Sequence, residues 1–262
     1  MSDYHDRLYQ RYVSSHCYYR DLSTEQEYAR LVSFYGRNYR PLLPANKHAV
    51  ILDVACGTGH FCYYLTQAGY TNVSGIDLSP EMVEVCHARG LPAVSQGDVF
   101  DYLATRPAAF DLITAHHFVE HLTKPRILDF LDAAMGVLRP GGTLALTTPN
   151  AASLFGARDA FVDFTHEVGF TPESMSQVLW AIGYDNVRVL PVRPGVGSWR
   201  GVLRNLMWGL AQQFSHLALA LEGRPLLQPV VTSASLIGVG QRPHAEQQDG
   251  PLMPSTFTES MT

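Results

Sequence analysis

Residues 51–59 read Ile-Leu-Asp-Val-Ala-Cys-Gly-Thr-Gly, a short apolar run that ends in a glycine-rich turn. The run lies within His48–Val54, which is rich in branched apolar residues and is typical of a buried parallel strand. Gly57 and Gly59 supply the backbone freedom that a sharp bend requires, and a helix is predicted after them, over Phe61–Ala68. This order of strand, turn and helix predicts a ligand crevice at the carboxyl edge of a parallel sheet.

Two acidic residues indicate what the crevice binds. Asp53 lies beside the turn, where a carboxylate would repel a pyrophosphate and would suit a ligand that carries a positive charge. Asp77 ends a second predicted strand, Val73–Ile76, where an acid can accept both hydroxyls of a ribose. The dinucleotide fingerprint would place a third glycine at position 62, which is Cys62 here. The predicted ligand is therefore a nucleoside joined to a cation, and S-adenosylmethionine, with its sulfonium and amino groups, fits.

Five stretches of the chain, in this order, resemble the class I S-adenosylmethionine-dependent methyltransferases. They are 52–59, 75–79, 96–99, 110–113 and 138–142. The resemblance covers roughly residues 45–192. It implies a methyltransferase (EC 2.1.1 class) that uses S-adenosyl-L-methionine and releases S-adenosyl-L-homocysteine.

The same resemblance implies a set of cofactor-binding residues. The set is Asp53, Ala55, Cys56, Gly57, Gly59, Asp77, Leu78, Met82, Asp98, Val99 and His116. By resemblance, Asp53 and the turn hold the methionine end, Asp77 holds the ribose, and Asp98 bonds the adenine amino group. Leu78 and Met82 flank the adenine. The residue type alone leaves Asp98 open as an ordinary turn residue after a strand.

Composition limits the class of protein. The chain has 262 residues, 46% of them hydrophobic, which is enough for one full domain with additions. The net charge is −5 and no basic stripe occurs, so nucleic acid is not expected as a partner. Cys17, Cys56, Cys62 and Cys86 form no C-x-x-C pair, and the N-terminus is too polar for a secretion signal. We expect reduced thiols, a cytoplasmic location and no transmembrane segment.

Residues 1–45 are predicted to form an N-terminal helical cap. Ser23 and Gln26 match a capping box, and the helix that they start would run to about Tyr35. Tyrosines are concentrated in this region, at Tyr4, Tyr9, Tyr12, Tyr18, Tyr19, Tyr28, Tyr35 and Tyr39. They predict either packing of the helix onto the domain or an aromatic lid over the substrate.

Strands and helices alternate over residues 46–241, which predicts an α/β domain with a doubly wound, mostly parallel sheet. The resemblance implies that this is the seven-stranded Rossmann-like methyltransferase sheet. Strands are predicted at 48–54, 73–76, 93–96, 110–115, 143–147, 186–192 and, antiparallel, 233–240; helices are predicted at 61–68, 80–88, 124–137 and 171–182. An insertion of about 193–230 carries an apolar helix, 199–221, which would pack on the core or on a twin subunit in a homodimer. Peripheral contact with a membrane or a lipid-linked acceptor is the alternative. Residues 242–262 are predicted to be a disordered tail.

Three histidines are candidates for the base that accepts the acceptor's proton. His116 and His117 follow the fourth predicted strand, beside the sulfonium, although both could be polar loop residues. His166 is the first candidate, because 163–174 resembles the Thr-His…Phe-Thr-Pro-Glu-Ser stretch of bacterial methyltransferases that act on sugars and related small molecules. Asp163 would orient its imidazole. Alternatively, His166 ties this loop to the following helix.

Metal sites are the other chemistry that these residues could support. His117, Glu120 and His121 match the H-x-x-E-H pattern of zinc hydrolases, but those enzymes carry the motif on a long helix. A second metal set would consist of Asp163, His166 and Glu167. We expect no metal, and a zinc hydrolase stays a remote alternative.

The function predicted from these observations is O-methylation of a small molecule, with a sugar or glycan end as the preferred acceptor. A phenolic, quinone-like or lipid-linked acceptor is the alternative within the same class. A subunit that binds S-adenosylmethionine without catalysis, as the partner of an active one, is an alternative of another class.

Overall fold

A computed structural model describes residues 24–193, 199–221, 223 and 231–244. The strands are β1 (Val50–Val54), β2 (Asn72–Asp77), β3 (Val94–Gln96), β4 (Phe110–His116), β5 (Leu138–Pro149), β6 (Asp185–Pro191) and β7 (Ser235–Gln241). The helices are α1 (Glu25–Tyr39), α2 (His60–Gln67), α3 (Pro80–Ala88), α4 (Val99–Ala104), α5 (Lys124–Val137), α6 (Gly156–Phe161), α7 (Pro172–Ile182) and α8 (Trp199–Leu221), with 3₁₀ turns at Arg40–Leu42 and Val119–His121.

The sheet has seven strands in the order β3-β2-β1-β4-β5-β7-β6. β1 to β5 are parallel, and β7 runs antiparallel to both β5 and β6. This confirms the predicted doubly wound fold with one antiparallel strand. The strand order reverses between β1 and β4, so the crevice of the fold opens at the carboxyl ends of β1, β2 and β4.

Alternate residues of β1 point to the two faces of the sheet. Leu52 belongs to the apolar cluster that contains Phe130 of α5, whereas Ile51 belongs to the cluster that contains Phe61 of α2 and Tyr39 of α1. Helices therefore cover both faces of the sheet, and the edge at the carboxyl ends is where the site residues collect.

The N-terminal helix differs from the prediction at both ends. Its cap is Thr24, whose hydroxyl accepts the Glu27 N–H at 3.3 Å, so the predicted cap at Ser23 is one residue too early. The helix continues to Tyr39, past the predicted end at Tyr35. These two tyrosines lie one turn apart on the face that packs on the domain, and this packing extends the helix.

Apart from α1, most predicted strands and helices lie within two residues of the observed ones, with three further exceptions. β5 is twelve residues long, because its amino-terminal part continues the pairing with β4 across an irregularity in register. The short helices α4 and α6 were not predicted, since six residues carry little periodicity.

The predicted insertion helix is present as α8, but its apolar side chains do not pack on the core. The exposed ones are Trp199, Val202, Leu203, Leu206, Met207, Leu210, Phe214, Leu217 and Leu221. Core packing is therefore the wrong alternative for these residues. Among the described helices, none has both the length and the apolar character needed to cross a bilayer.

The described chain continues past the predicted start of the tail at residue 242. The Arg242 carbonyl accepts the Gly141 N–H and the Arg242 N–H donates to the Gly142 carbonyl, each at 2.8 Å. The rest of the predicted tail, 245–262, lies outside the described residues, as do Cys17 and the tyrosines before residue 24.

Candidate active site

The glycine turn after β1 has left-handed backbone angles at three positions. The φ angles are 50° at Ala55, 54° at Gly57 and 77° at Gly59. A Cβ on Gly59 would lie 2.7 Å from Leu91 Cδ1 and 2.8 Å from Cys86 Sγ, so this position requires glycine for its space as well as for its angle. The turn therefore brings the start of α2 close to the ends of β1 and β2.

Asp77 connects this turn to the next helix. Its Oδ2 accepts the Gly57 N–H at 2.7 Å, and its Oδ1 accepts the Ser79 N–H at 2.9 Å. Burial raises the pKa of the carboxyl, and the backbone N–H of Ser79 opposes this effect. Ser79 itself caps α3. The carboxylate is thus fixed at the carboxyl end of β2, where the ribose is predicted to bind.

The predicted adenine residues surround the same edge. Leu78 is 59% exposed, whereas Met82 and Val99 are buried. Asp98 caps α4, with its Oδ1 accepting the Phe100 N–H at 2.7 Å. The structure therefore gives Asp98 a definite local role, and its bond to adenine stays a prediction.

Asp53 is buried at the carboxyl end of β1. The Thr114 hydroxyl donates to its Oδ1 at 2.7 Å, and Cys62 Sγ lies 3.9 Å from its Oδ2. Burial raises the pKa of Asp53 to about 7, and the charge of Asp77 adds to the effect. His116 Nε2 lies 3.7 Å from Oδ1, beyond hydrogen-bond distance.

His116 lies at the end of β4 inside a cluster of aromatic rings. The ring centroids of Tyr35, Tyr39 and Phe61 lie 5.5, 4.9 and 4.6 Å from its own. Its Nδ1 is 3.0 Å from the Tyr39 hydroxyl, and its buried Nε2 has no hydrogen-bond partner among the described residues. Burial lowers the pKa of His116 to about 3. The ring is therefore neutral and presents one unpaired nitrogen toward Asp53.

The only sequence signal for this aromatic cluster is indirect, namely the concentration of tyrosines before residue 45. Tyr28 and Tyr39 are buried, and the Tyr28 hydroxyl donates to the Thr58 carbonyl in the glycine turn. The packing interpretation is thus confirmed for the tyrosines of α1. The roles of Phe61 and Thr114 were missed, because no motif marks them.

His117 follows with a left-handed φ of 53°. Its N–H donates to the Thr147 carbonyl at 2.8 Å, and its Nδ1 lies 3.0 Å from Glu120 Oε1. Desolvation on its inner side would lower the pKa of His117, whose side chain is 53% exposed, but the bond to Glu120 raises it above the usual value. Burial likewise opposes ionisation of Glu120, but His117 holds the pKa of this carboxyl below its usual value.

The segment after β5 carries the third histidine candidate. His166 Nδ1 lies 3.0 Å from the Ala160 carbonyl, so a backbone oxygen orients this nitrogen, and the predicted orientation by Asp163 is wrong. Asp163 Oδ1 instead accepts the N–H and the hydroxyl of Thr165, at 2.9 and 2.8 Å. The Thr165 hydroxyl lies 2.8 Å from His121 Nδ1.

Three potential metal ligands come together here. One ligand atom each from Glu120, His121 and His166 lies within 4.8 Å of the other two. This combination differs from both predicted metal sets. The first predicted set has His117 in place of His166, but His117 is bonded to Glu120. The second predicted set shares only His166 with the observed group. Glu120 and His121 lie on a 3₁₀ turn and not on the long helix that the zinc-hydrolase pattern requires.

The fold and the crevice define a nucleoside-binding α/β domain with the topology of the class I methyltransferases. Residues 52–146 match the family model described as "Methyltransferase domain". Residues 52–146 are thus similar to a methyltransferase domain, and the matched residues include most of β1, the glycine turn and Asp77.

Individual relatives agree with this assignment. A ubiquinone biosynthesis O-methyltransferase of Xylella fastidiosa is 37% identical over 107 residues, 39% of this chain and 42% of the relative. The chain therefore matches only about two fifths of the length of such curated relatives. A methyltransferase structure from Archaeoglobus fulgidus has a TM-score of 0.61 at 19% identity and covers 91% of this chain and 100% of its own. A phosphoethanolamine N-methyltransferase 2 of Haemonchus contortus, solved with S-adenosyl-L-methionine, has a TM-score of 0.58 at 16% identity over 93% of this chain and 61% of its own. These two structures support the fold alone.

Proposed function

We propose that this chain transfers a methyl group from S-adenosylmethionine to an oxygen of a small molecule with an apolar body, such as a phenolic, quinone-like or lipid-linked compound. The observation that carries the proposal is the meeting of the glycine turn, Asp77 and His116 at one carboxyl edge of the sheet. Methyl transfer needs the acceptor oxygen aligned with the methyl carbon and the sulfur, and such alignment supplies up to ~7–11 kcal/mol of the barrier.

The acceptor side of the proposal rests on an apolar rim. The large apolar side chains that are exposed in the segment after β5 are Leu154, Phe155, Phe161, Val162 and Phe164. Phe161, Val162 and Phe164 are close in sequence to His166, which is half-buried. Exposed aromatic groups of this kind suit an acceptor with an apolar body better than a free sugar. The O-methyltransferases among the curated relatives, named for ubiquinone biosynthesis, support the same preference.

A sugar or glycan end is the second candidate acceptor. The resemblance of 163–174 to methyltransferases that act on sugars favours it, and the structure orders this segment around the capping box of Thr171 and Ser174. The two acceptor classes differ in the apolar surface that they offer, so a panel of hydroxylated aromatics and sugars separates them.

In the proposed site, Asp77 binds the ribose and His166 contacts the acceptor hydroxyl and accepts its proton. His116 is the weaker base candidate, because its buried ring binds a proton poorly and one nitrogen is held by Tyr39. Its unpaired nitrogen beside Asp53 suits contact with the cofactor's methionine end. His117 remains the third candidate.

Cofactor binding is tested by thermal melting with S-adenosylhomocysteine. A ligand at a hundredfold excess over its dissociation constant stabilises a protein by ~2.7 kcal/mol, which raises the Tm of a chain of this size by roughly 5–10 °C. Asp77→Ala is expected to lose most of this shift. A full shift in the variant would mean that Asp77 does not hold the ribose.

Catalysis is tested by the transfer of labelled methyl groups to the acceptor panel. With an accepted substrate, His166→Gln is expected to lower kcat by roughly 100- to 10,000-fold while the Tm shift with S-adenosylhomocysteine is retained. Unchanged turnover would remove His166 from the reaction. A chain that shows the Tm shift but methylates no member of the panel would match the alternative of a non-catalytic subunit.

We also propose a reducing, cytoplasmic setting for the protein. The described cysteines, Cys56, Cys62 and Cys86, are free thiols. Oxidised extracellular proteins usually pair such residues. Fractionation of cells that express the native chain checks this location, and recovery from a secreted fraction would contradict it.

A further inference from the structure

We infer that Glu120, His121 and His166 form a binding site for one divalent transition-metal cation of the zinc, manganese or cobalt class. The inference starts from proximity, since a ligand atom of each residue lies within 4.8 Å of the other two. Three ligands converging at such distances can close around one ion with small side-chain movements, because metal bonds to these atoms are about 2.0–2.2 Å long.

The backbone holds the two parts of this site together. Glu120 and His121 lie on the 3₁₀ turn after β4, and His166 lies in the segment between α6 and α7. The Glu120 carbonyl accepts the N–H of Glu167 at 2.7 Å and that of Val168 at 3.2 Å. These bonds fix the neighbour of His166 against Glu120, so the ligands are brought together before any ion binds.

An unsatisfied buried oxygen independently indicates a cation. Glu120 is 1% exposed, and its Oε1 is bound to His117 at 3.0 Å. Its Oε2 is buried and has no hydrogen-bond partner among the described residues. A buried carboxylate oxygen without a partner is costly, and native proteins rarely leave one unpaired. A cation held by the two nearby imidazoles would satisfy it.

The orientation of both imidazoles also suits metal binding. The Ala160 carbonyl can only accept, so His166 donates from Nδ1 and carries its lone pair on Nε2. The Thr165 hydroxyl donates to Asp163 and therefore accepts from His121 Nδ1, which places that lone pair on Nε2 as well. Histidine ligands in metalloproteins are usually oriented by such oxygen acceptors on the other ring nitrogen.

The ligand set selects the kind of ion. Two imidazoles and one carboxylate suit zinc, manganese, cobalt and related ions, whereas calcium and magnesium prefer sites made of oxygen ligands. Three protein ligands leave a coordination position for water or for an oxygen of another molecule. In the proposed methyl transfer that oxygen would be the acceptor's hydroxyl: His166 holds the ion when a cation is bound, and accepts the hydroxyl's proton directly when none is bound. This role rests on the proposed function, whereas cation binding itself does not.

The test measures cation binding without cofactor or acceptor, so its outcome is independent of the proposed function. The full chain is stripped with a chelator, dialysed, and titrated with Zn²⁺, Mn²⁺ or Co²⁺ by calorimetry, with Mg²⁺ as the hard-ion comparison. We expect one cation per chain, weaker binding of Mg²⁺, and a Tm rise of roughly 5–10 °C at a hundredfold excess over the dissociation constant. Bound Co²⁺ gives a visible absorption spectrum that reports its ligands.

Two variants of the ligand residues and one matched control show whether the cation binds at this site. His166→Gln changes a half-buried side chain and is expected to weaken binding at least roughly tenfold and to change the Co²⁺ spectrum. Glu120→Gln is expected to weaken binding similarly. His48→Gln alters an exposed histidine that precedes β1, at the opposite edge of the sheet, and is expected to bind like the unmodified chain. The inference is overturned if the stripped chain binds none of the three ions, or if His166→Gln and Glu120→Gln both bind as tightly as His48→Gln.

Discussion

Asp53 and His116 are buried beside each other with pKa values that have moved in opposite directions. The pKa of Asp53 is raised to about 7 and that of His116 is lowered to about 3, both mainly by burial. Between these pH values both groups stay uncharged in the folded chain. This state suits a crevice without ligand, and a bound sulfonium would favour ionisation of Asp53.

Asp53 and His116 make the folding stability depend on pH in opposite directions. Asp53 binds its proton more tightly in the folded chain than in the unfolded one, so its contribution to stability is present at low pH and is lost as pH rises from about 4 to about 7. His116 binds its proton more weakly in the folded chain, so its contribution is present above about 6.5 and is lost as pH falls toward 3. The two contributions partly cancel in the unmodified protein.

Asp53→Asn removes the contribution of Asp53 to the pH dependence of stability and leaves that of His116. The difference in unfolding free energy between the variant and the unmodified chain is expected to grow in favour of the variant by up to ~4 kcal/mol between pH 4 and pH 8. The amide introduced at position 53 can donate to Thr114 Oγ1 or His116 Nε2, so the fold should survive. Denaturant unfolding at several pH values measures the difference, and a constant difference would show that Asp53 titrates normally.

The two glycines of the turn are expected to differ in their tolerance of a methyl group. Gly57→Ala meets only the cost of a left-handed backbone, ~1–2 kcal/mol, because nothing lies within 4 Å of the added Cβ. Gly59→Ala adds the overlap with Leu91 and Cys86, for a total of ~2–5 kcal/mol. Chemical denaturation compares them, with Gly57→Ala as the matched control, and equal losses would contradict the packing argument.

At the scale of elements, α1 and α8 differ in the burial of their side chains, although packing on the domain was a predicted alternative for both. α1 places Tyr28 and Tyr39 in the interior and thereby closes over the glycine turn and His116. α8 keeps its apolar side chains exposed, and its sequence contains Arg200 and Arg204 but no acidic residue. This combination of apolar and basic groups suits the surface of an anionic membrane.

We predict that the chain sediments with vesicles of anionic phospholipid through α8. Leu206→Glu together with Phe214→Glu is expected to reduce the bound fraction strongly, because charge replaces two exposed apolar side chains. Gln67→Glu, which adds a negative charge to the exposed part of α2, serves as control and should bind as before. The alternative is a homodimer that forms through α8. In that case the chain would not bind the vesicles, and sedimentation analysis would show a dimer that the double variant no longer forms.

At the scale of the molecule, Arg242 connects the segment after β7 to the loop before the main part of β5. Besides its backbone bonds to Gly141 and Gly142, its guanidinium donates to the Gly136 carbonyl at 3.0 Å. His244 lies against Gly141, where an added Cβ would be 2.6 Å from its ring. The predicted boundary at 241 would cut through these contacts.

Truncation tests this boundary. A chain that ends after His244 is expected to keep the Tm of the full chain, in line with the predicted disorder of the tail. A chain that ends after Gln241 loses the Arg242 bonds and should be less stable by ~1–4 kcal/mol. Calorimetric melting compares the two, and equal Tm values would show that Arg242 adds nothing to the fold.

Prediction from the sequence was accurate where short-range chemistry controls the structure. α3 and α5 were predicted with their observed bounds, because Ser79 with Pro80, and Pro125 near the start of α5, are local start signals. The orienting partner of His166 was wrong, and the residues around His116 were missed. The contacts around His116 join residues far apart in the chain. The bond of His166 to the Ala160 carbonyl spans only six residues, but it depends on the fold of the loop, which no sequence pattern records.

The sequence by itself determined the alternation of strands and helices, the glycine turn and the acidic residues at the ends of β1 and β2. Periodicity, backbone freedom and charge are properties of neighbouring residues, so they can be recognised without coordinates. Only the tertiary structure brought Glu120 and His121 to His166, and only burial in the aromatic cluster set the protonation of His116. The order of the strands in the sheet decides which distant side chains meet, and the desolvation that follows depends on the whole packed molecule.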